Sequence, residues 1–459
     1  MTPPLRLALV GHTNTGKTSL TRTLTRNASF GQVSNSPGTT RKVDVARLTV
    51  DGETVIEWYD TPGMEDSVAL LDYVDDLCAG TRLDGPDRIR RFLDSPEAHG
   101  RFDQEARVLD KALDCDAALY VIDARDPVLA KHRDELSLLA ACGKPLLPVL
   151  NFTRSAAQHA QPWRDAMARL GLHVQAEFDS VLPALDGERQ LYQRLTLLLD
   201  RHGVRLRALT EHLEQARRQR RDDAFNLLAQ LLVDAAALHI ACAPDDAAVA
   251  RTASHLHEQI RAREQQFVDA VLERYRFGRD DLASDRLPLD GHRWGMDLFH
   301  PQALKDMGVQ VGTGIAAGAV AGAAVDVMTA GLSLGTGTLV GAAAGGVWQG
   351  VERVGKRLMG RVRGQREISV DDSVLRLLAL RGQTLIQALE QRGHAATQPF
   401  ALAAPKTLDW QTKPLPAELK EARSRAEWSA LSAGFDDDDR RRHVVQTLSE
   451  QLSRTATKD

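Results

Sequence analysis

The chain has 459 residues, 43% of them hydrophobic and 26% charged, with a formal net charge of −4. That length allows two or three domains with cores of their own, and the composition is ordinary for globular proteins, which excludes a fibrous or wholly disordered chain. The near-neutral charge gives no reason to expect nucleic acid as a partner. Four scattered cysteines (Cys78, Cys115, Cys142, Cys242) make no zinc or disulfide pattern and predict a reduced, cytoplasmic setting. The opening run MTPPLRLALVGH is too short in apolar residues to read as a signal peptide.

LRLALV, Leu5 to Val10, is an apolar run of strand length, and GHTNTGKT, Gly11 to Thr18, follows it directly. The eight residues fit Gly-x-x-x-x-Gly-Lys-[Ser/Thr], and SLTRTLTRN continues with helical spacing. Strand, glycine loop and helix in that order are the setting a phosphate-binding P-loop needs. Gly11 and Gly16 allow the loop to turn several backbone N–H groups toward one anion. Lys17 is expected to reach the β- and γ-phosphates and the Thr18 hydroxyl to bind Mg²⁺.

Two further pieces come in order. SPGTTRK, Ser36 to Lys42, lies in a polar stretch beyond the P-loop, and DTPG, Asp60 to Gly63, ends the buried-strand pattern VIEWYD. Asp60 at a strand end can hold a water on Mg²⁺, and the Gly63 N–H can face a γ-phosphate. With these motifs in view, residues 1 to about 200 resemble the bacterial Era, EngA and TrmE group of P-loop GTPases. GHTNTGKT, PGTTR and DTPG match that group's first three motifs.

The resemblance implies an α/β fold, a mostly parallel sheet with helices on both faces, that binds GTP and GDP with Mg²⁺. It implies a nucleotide-contacting set of Gly11, His12, Thr13, Asn14, Thr15, Gly16, Lys17, Thr18, Ser19, Thr39, Thr40, Asp60, Gly63 and Asn151. Within that set Lys17, Thr40 and Gly63 would serve hydrolysis, and Thr18, Thr40 and (through water) Asp60 the metal. Thr40, with Thr39 as the alternative, would be the switch threonine that closes on Mg²⁺ and the γ-phosphate. Asn14 stands where that group has an asparagine linked to potassium-stimulated hydrolysis, which leaves K⁺ open as a second ion. Met64 follows DTPG, and an apolar side chain cannot orient water. Glu65 and Asp66 are the nearby polar alternatives, or simply acids on a solvated loop, and slow intrinsic turnover is expected.

AALYVID (Ala117 to Asp123) and KPLLPVLN (Lys144 to Asn151) flank a helical stretch, the alternation expected of a parallel sheet. The fifth strand should end in Asn-Lys-x-Asp. It ends instead in Asn151, Phe152, Thr153 and Arg154. Asn151 can hydrogen-bond a base, but the carboxylate that grips the guanine N1 and N2 protons is missing, which weakens guanine specificity and leaves phosphate binding intact. Asp179, after the strand pattern LHVQAEF, could substitute or be a plain loop aspartate. Phe152 could stack on the base or belong to the core. Met64 to Asp116 is longer than a switch and one helix require and reads as a helical insertion next to the switch.

GERQLYQRLTLLLDRHG reads as the last helix of the nucleotide domain, stopped by Gly203. The expected division is 1–203 for the GTPase domain with its insertion at 64–116, then 204–291 helical. A glycine-rich apolar segment with a basic flank follows at 292–366, and a helical C-terminal region at 367–459. This order of parts resembles a family of bacterial GTPases with a large C-terminal domain of uncharacterised function, in which an Asn-Phe fourth motif recurs.

Within the glycine-rich segment, Gly314, Gly318 and Gly322 are spaced by four, as are Gly337, Gly341 and Gly345. Such spacing lines one helix face and predicts a close-packed helical hairpin over 307–349, turning between Thr329 and Thr338. Five strongly apolar residues in the first arm favour bilayer insertion by about 2 kcal/mol in all, and Asp326 would cost up to about 3 if it sat deep. A hairpin packed in solution is expected, with membrane association as the alternative. The expected function is a GTPase that switches its helical half, acting on a protein effector the sequence does not identify.

Overall fold

The structure is a computed structural model, and it describes residues 3–26, 30, 43–155, 159–277, 289–290, 293–294, 297–299, 325–328, 366–391 and 414–455. It divides into two compact units, one built on Met1–Arg218 and the other on Gln219–Leu389 with the C-terminal helices.

The first unit is a six-stranded sheet flanked by helices. Its strands are β1 (Leu5–Val10), β2 (Asp44–Val50), β3 (Glu53–Asp60), β4 (Ala117–Asp123), β5 (Leu146–Asn151) and β6 (Ala176–Glu177), in the order β2-β3-β1-β4-β5-β6. Only β2 runs antiparallel to its neighbour, β3. The mostly parallel sheet with helices on both faces is the one expected. β4 and β5 are buried at every residue, because a parallel sheet covered on both faces has no solvent side.

Side chains alternate between the two faces. Ala8, Val10, Tyr120 and Ile122 pack with Met64, Phe92 and Phe102 on one side. Leu7, Leu9, Leu119 and Val121 pack with Leu20, Tyr192 and Leu195 on the other. Helix α1 (Lys17–Thr25) follows the P-loop. The segment from Met64 to Asp116 folds as three helices, α2 (Ser67–Leu77), α3 (Gly85–Leu93) and α4 (Asp103–Asp114). Tyr73, Phe92 and Phe102 meet in one aromatic cluster that ties these helices together. Then come α5 (Ala130–Ala141), α6 (Ala160–Arg169) and α7 (Gly187–Leu198). Gly203, expected to stop a helix, opens one instead: its φ is −58°, and α8 runs from it to Ala237.

The second unit is mainly helical: the Gln219–Ala237 part of α8, α9 (Asp246–Arg274), α10 (Asp372–Glu390), α11 (Ala417–Arg423) and α12 (Asp439–Thr455). Most of α10 is buried, its polar residues Arg381, Gln383 and Thr384 included. A methyl group on Gly382 would collide with Leu228, so α8 and α10 approach closely there. The buried carboxylate Asp234 accepts from Arg263 Nε at 2.8 Å and Arg441 Nη2 at 2.9 Å, joining α8, α9 and α12.

The second unit also holds a small sheet that helical spacing does not foresee. β7 (His239–Cys242) pairs antiparallel with β11 (Arg366–Val370), which pairs antiparallel with β10 (Val325–Met328). Two two-residue strands, β8 (Leu289–Asp290) and β9 (Arg293–Trp294), pair with each other. Most of the expected glycine-rich hairpin lies outside the described residues. Its one described stretch, β10, is extended where the glycine spacing predicts the end of a helical arm; Val-Asp-Val-Met has the β-branched residues that favour a strand. Among the described residues no helix is long and apolar enough to cross a membrane.

Candidate functional site

The carboxyl ends of β1, β3 and β5 converge where an open α/β sheet binds its ligands. The loop after β1 turns on Gly11 (φ 138°), Asn14 (φ 61°) and Gly16 (φ 90°). A side chain on Gly11 would lie 2.5 Å from the Val121 carbonyl, and one on Gly16 would strike Asn151 and Phe152. Glycine is therefore required by both conformation and space. Thr15 Oγ1 donates to the His12 carbonyl at 3.0 Å and steadies the turn.

Lys17 folds back over the loop, its Nζ donating to the carbonyls of Gly11 (3.0 Å) and His12 (2.7 Å). Burial pushes its pKa down to about 8, against the attraction of Asp60 and Glu135. Thr18 Oγ1 donates to Asp60 Oδ2 at 2.5 Å. Asp60 is 1% exposed, and burial raises its carboxyl to about 6 although Thr18 and Lys17 pull it down. Its second oxygen, Oδ1, is buried with no hydrogen-bond partner among the described residues.

Thr61 ties the DTPG turn to β1 through its N–H and hydroxyl, both donating to the Leu9 carbonyl. A methyl on Gly63 would meet the backbone nitrogen of Thr13 at 2.6 Å, so this turn lies directly on the P-loop. Met64 N donates to Gly11 O at 3.3 Å, and the Met64 side chain is wholly buried in the core. Asp66 caps α2 and pairs with Arg101.

At the end of β5, Asn151 Nδ2 donates to Thr15 O at 3.0 Å, while its Oδ1 accepts from Phe152 N and Ser180 N, both at 2.9 Å. The side chain thus clips the P-loop to the loops after β5 and β6. Asp179 accepts from the backbone N–H groups of Arg154, Val181 and Leu182. The Arg125 guanidinium lies over the Phe152 ring, 4.1 Å from its centre, and is held by Asp123.

The expected residues Gly11 to Ser19, Asp60, Gly63 and Asn151 therefore come together from three strand ends. Thr39 and Thr40 lie outside the described residues. Sequence reading missed a polar group linking the loop to the buried Glu135. His12 Nδ1 lies 3.0 Å from Glu135 Oε1, and Lys131 Nζ lies 2.7 Å from His12 Nε2. Glu135 in turn accepts from Tyr120 OH at 2.7 Å. Sequence reading also missed Gln104 and Glu105 on α4, which hold the DTPG turn. A glutamate in a helical insertion carries no local signal of such a role.

Residues 164–450 match the family described as domain of unknown function DUF3482. The chain belongs to that family. In this DUF3482 protein, residues 6–152 also match the family described as 50S ribosome-binding GTPase, and the sheet order and loop geometry are those of a P-loop GTPase. Among solved structures, an Aquifex aeolicus Era variant bound to GDP and aluminium fluoride is 17% identical, with a TM-score of 0.32 over 42% of this chain and 56% of that one. An Era in complex with MgGDPNP and nucleotides 1506–1542 of 16S ribosomal RNA is 16% identical, with a TM-score of 0.28 over 38% and 50%. The matches take in about half the length of each Era chain. No curated protein matches the sequence.

Proposed function

We propose that this DUF3482 protein hydrolyses GTP to GDP and phosphate with Mg²⁺ and acts as a nucleotide switch on its C-terminal helical half. The observation that carries the reading is the buried Asp60, bonded to Thr18 through one oxygen and unpartnered at Oδ1 among the described residues, beside the buried ammonium of Lys17. A buried carboxylate oxygen without a donor is costly unless a ligand answers it. A Mg²⁺-bound water would do so. Thr18 and Thr40 would bind the metal directly and Asp60 through water, and the ion would neutralise charge on the β- and γ-phosphates.

Lys17 would give up its loop carbonyls for the phosphate oxygens, the stronger, charge-assisted acceptors. The Gly63 N–H would face the γ-phosphate. Met64 is sealed in the core and the Asp66 carboxylate is engaged by Arg101 and the α2 cap. Met64 therefore orients no water, and Glu65, exposed beside the turn, is the remaining candidate on this loop, which supports slow intrinsic turnover. Asn14 stands exposed on the loop crest, where a monovalent cation would act. Phosphate release from GTP is expected with Mg²⁺ and is expected to fall at least about a hundredfold in Asp60→Ala, the scale set by an electrostatic group of the site. Runs in KCl and NaCl test the potassium role. Equal release from wild type and Asp60→Ala would sink the hydrolytic reading.

A second observation bears on the base. The carboxylates at or just beyond the ends of β4 and β6 all have partners: Asp123 pairs with Arg125, Asp179 accepts from three backbone N–H groups, and Glu177 pairs with Arg164 at the surface. Arg154 occupies the fourth position of the Asn-Lys-x-Asp motif. Arg125 covers one face of the Phe152 ring, and a base would stack on the other face, a contact that tolerates any base. GTP and ITP, which differ by the 2-amino group, are expected to compete within about threefold and ATP within about tenfold. A site built to hydrogen-bond the amine would discriminate far more strongly, by about 10⁴ or more. A GTP preference of that size in competition binding would remove this reading.

A further inference from the structure

We infer that α4, the last helix of the insertion, positions Gly63 for the γ-phosphate through Gln104 and Glu105, which makes these two side chains determinants of the choice between GTP and GDP. The inference rests on the GTPase reading above.

Gln104 Nε2 donates to the Gly63 carbonyl. Glu105 Oε1 accepts from Glu65 N and Asp66 N, each at 3.0 Å. Glu105 is 3% exposed, and a buried carboxylate taking two N–H donors makes strong, charge-assisted bonds. From the opposite side the P-loop takes the Met64 N–H through Gly11 O. The peptide joining Gly63 and Met64 is therefore gripped at both ends, its oxygen by α4 and its hydrogen by the P-loop. No hydrogen bond reaches the Gly63 N–H itself among the described residues, so the grip leaves free the donor that would meet the γ-phosphate.

The helix can act as a fixed reference. Phe102, Val108, Leu109 and Ala112 bury it in the core beneath the sheet. Arg101, in the turn just before α4, holds Asp66 at the start of α2 at 3.1 Å, so the grip extends from the turn into the next helix. GDP lacks the group that Gly63 would touch. Loosening the turn should therefore cost affinity for the triphosphate and leave the diphosphate unaffected, whereas general damage to the fold would weaken both.

The experiment is equilibrium binding of GDP and of the non-hydrolysable analogue GMPPNP, with Mg²⁺, to the full chain. Glu105→Ala strands two backbone donors and is expected to weaken GMPPNP about tenfold or more while GDP stays within about twofold. Glu105→Gln keeps an acceptor oxygen in place and should restore GMPPNP to within about threefold of wild type. Gln104→Ala, at a partly exposed side chain, reads the same selectivity should Glu105→Ala not fold. Equal weakening of both nucleotides, or no change in either, overturns the inference. Failure of the wild-type chain to bind either nucleotide would instead overturn the GTPase reading.

Discussion

Lys17→Met is expected to weaken GTP at least about a hundredfold, since two charge-assisted bonds to phosphate are each worth about 1.5–3 kcal/mol. The loss is expected without loss of fold. The ammonium is buried among backbone carbonyls, and burying a cation is costly even when its hydrogen bonds are made. An unbranched apolar side chain of similar length removes that cost. The variant should therefore unfold at the same denaturant concentration as wild type or at a higher one. This is the usual trade between a poised site and stability. Calorimetric titration with GTP and a urea transition on the same preparation test both halves. Retained affinity would remove Lys17 from the phosphate site, and a collapsed transition would make it structural.

The largest expected effect on stability lies in the second unit. Asp234→Ala should destabilise that unit by about 3–5 kcal/mol, the cost of breaking a buried ion pair from one side. Asp234 is 1% exposed. It takes Arg263 and Arg441 on its two oxygens, the Ala430 N–H on one of them, and Ser429 Oγ on its carbonyl. Truncation takes the acceptor from the largely buried Arg263 and one of three acceptors from Arg441, which keeps Trp428 O and Asp437. Asp234→Asn keeps the volume and an acceptor and should cost clearly less. Denaturant unfolding followed by the fluorescence of Trp428, which lies fully buried in the same core, reads the transition. A shift under about 1 kcal/mol would mean that water already reaches the arginines.

Much of the first unit was readable without coordinates. LRLALV and AALYVID are strands at the spans their apolar runs mark. The P-loop is legible because its constraint is local: eight residues carry the glycines, the lysine and the hydroxyl together. β2 escaped notice, since an edge strand exposed on alternate residues has a weaker signature than a buried one. LHVQAEF shrinks to the two paired residues of β6. The base site shows the limit most clearly. Its missing carboxylate was visible at Arg154, but whether Asp179 could replace it depended on which donors surround it. Three backbone N–H groups had already taken its oxygens.

In the second unit, the apolar periodicity of α9 and α10 marked helices but could not foresee that His239–Cys242 pairs with Arg366–Val370, more than a hundred residues on. Hydrogen bonds between distant strands leave no period in either. The same holds for Glu105 under the DTPG turn and Glu135 under His12. By itself the sequence determined what is written in consecutive residues: the P-loop, the DTPG aspartate at its strand end, the fractured base motif and the helical character of the C-terminal part. Only the tertiary structure decided which polar groups are already satisfied and which stand unanswered. Satisfaction of a buried group is a property of its neighbours in space: both oxygens of Asp179 have donors, whereas Asp60 Oδ1 has none among the described residues.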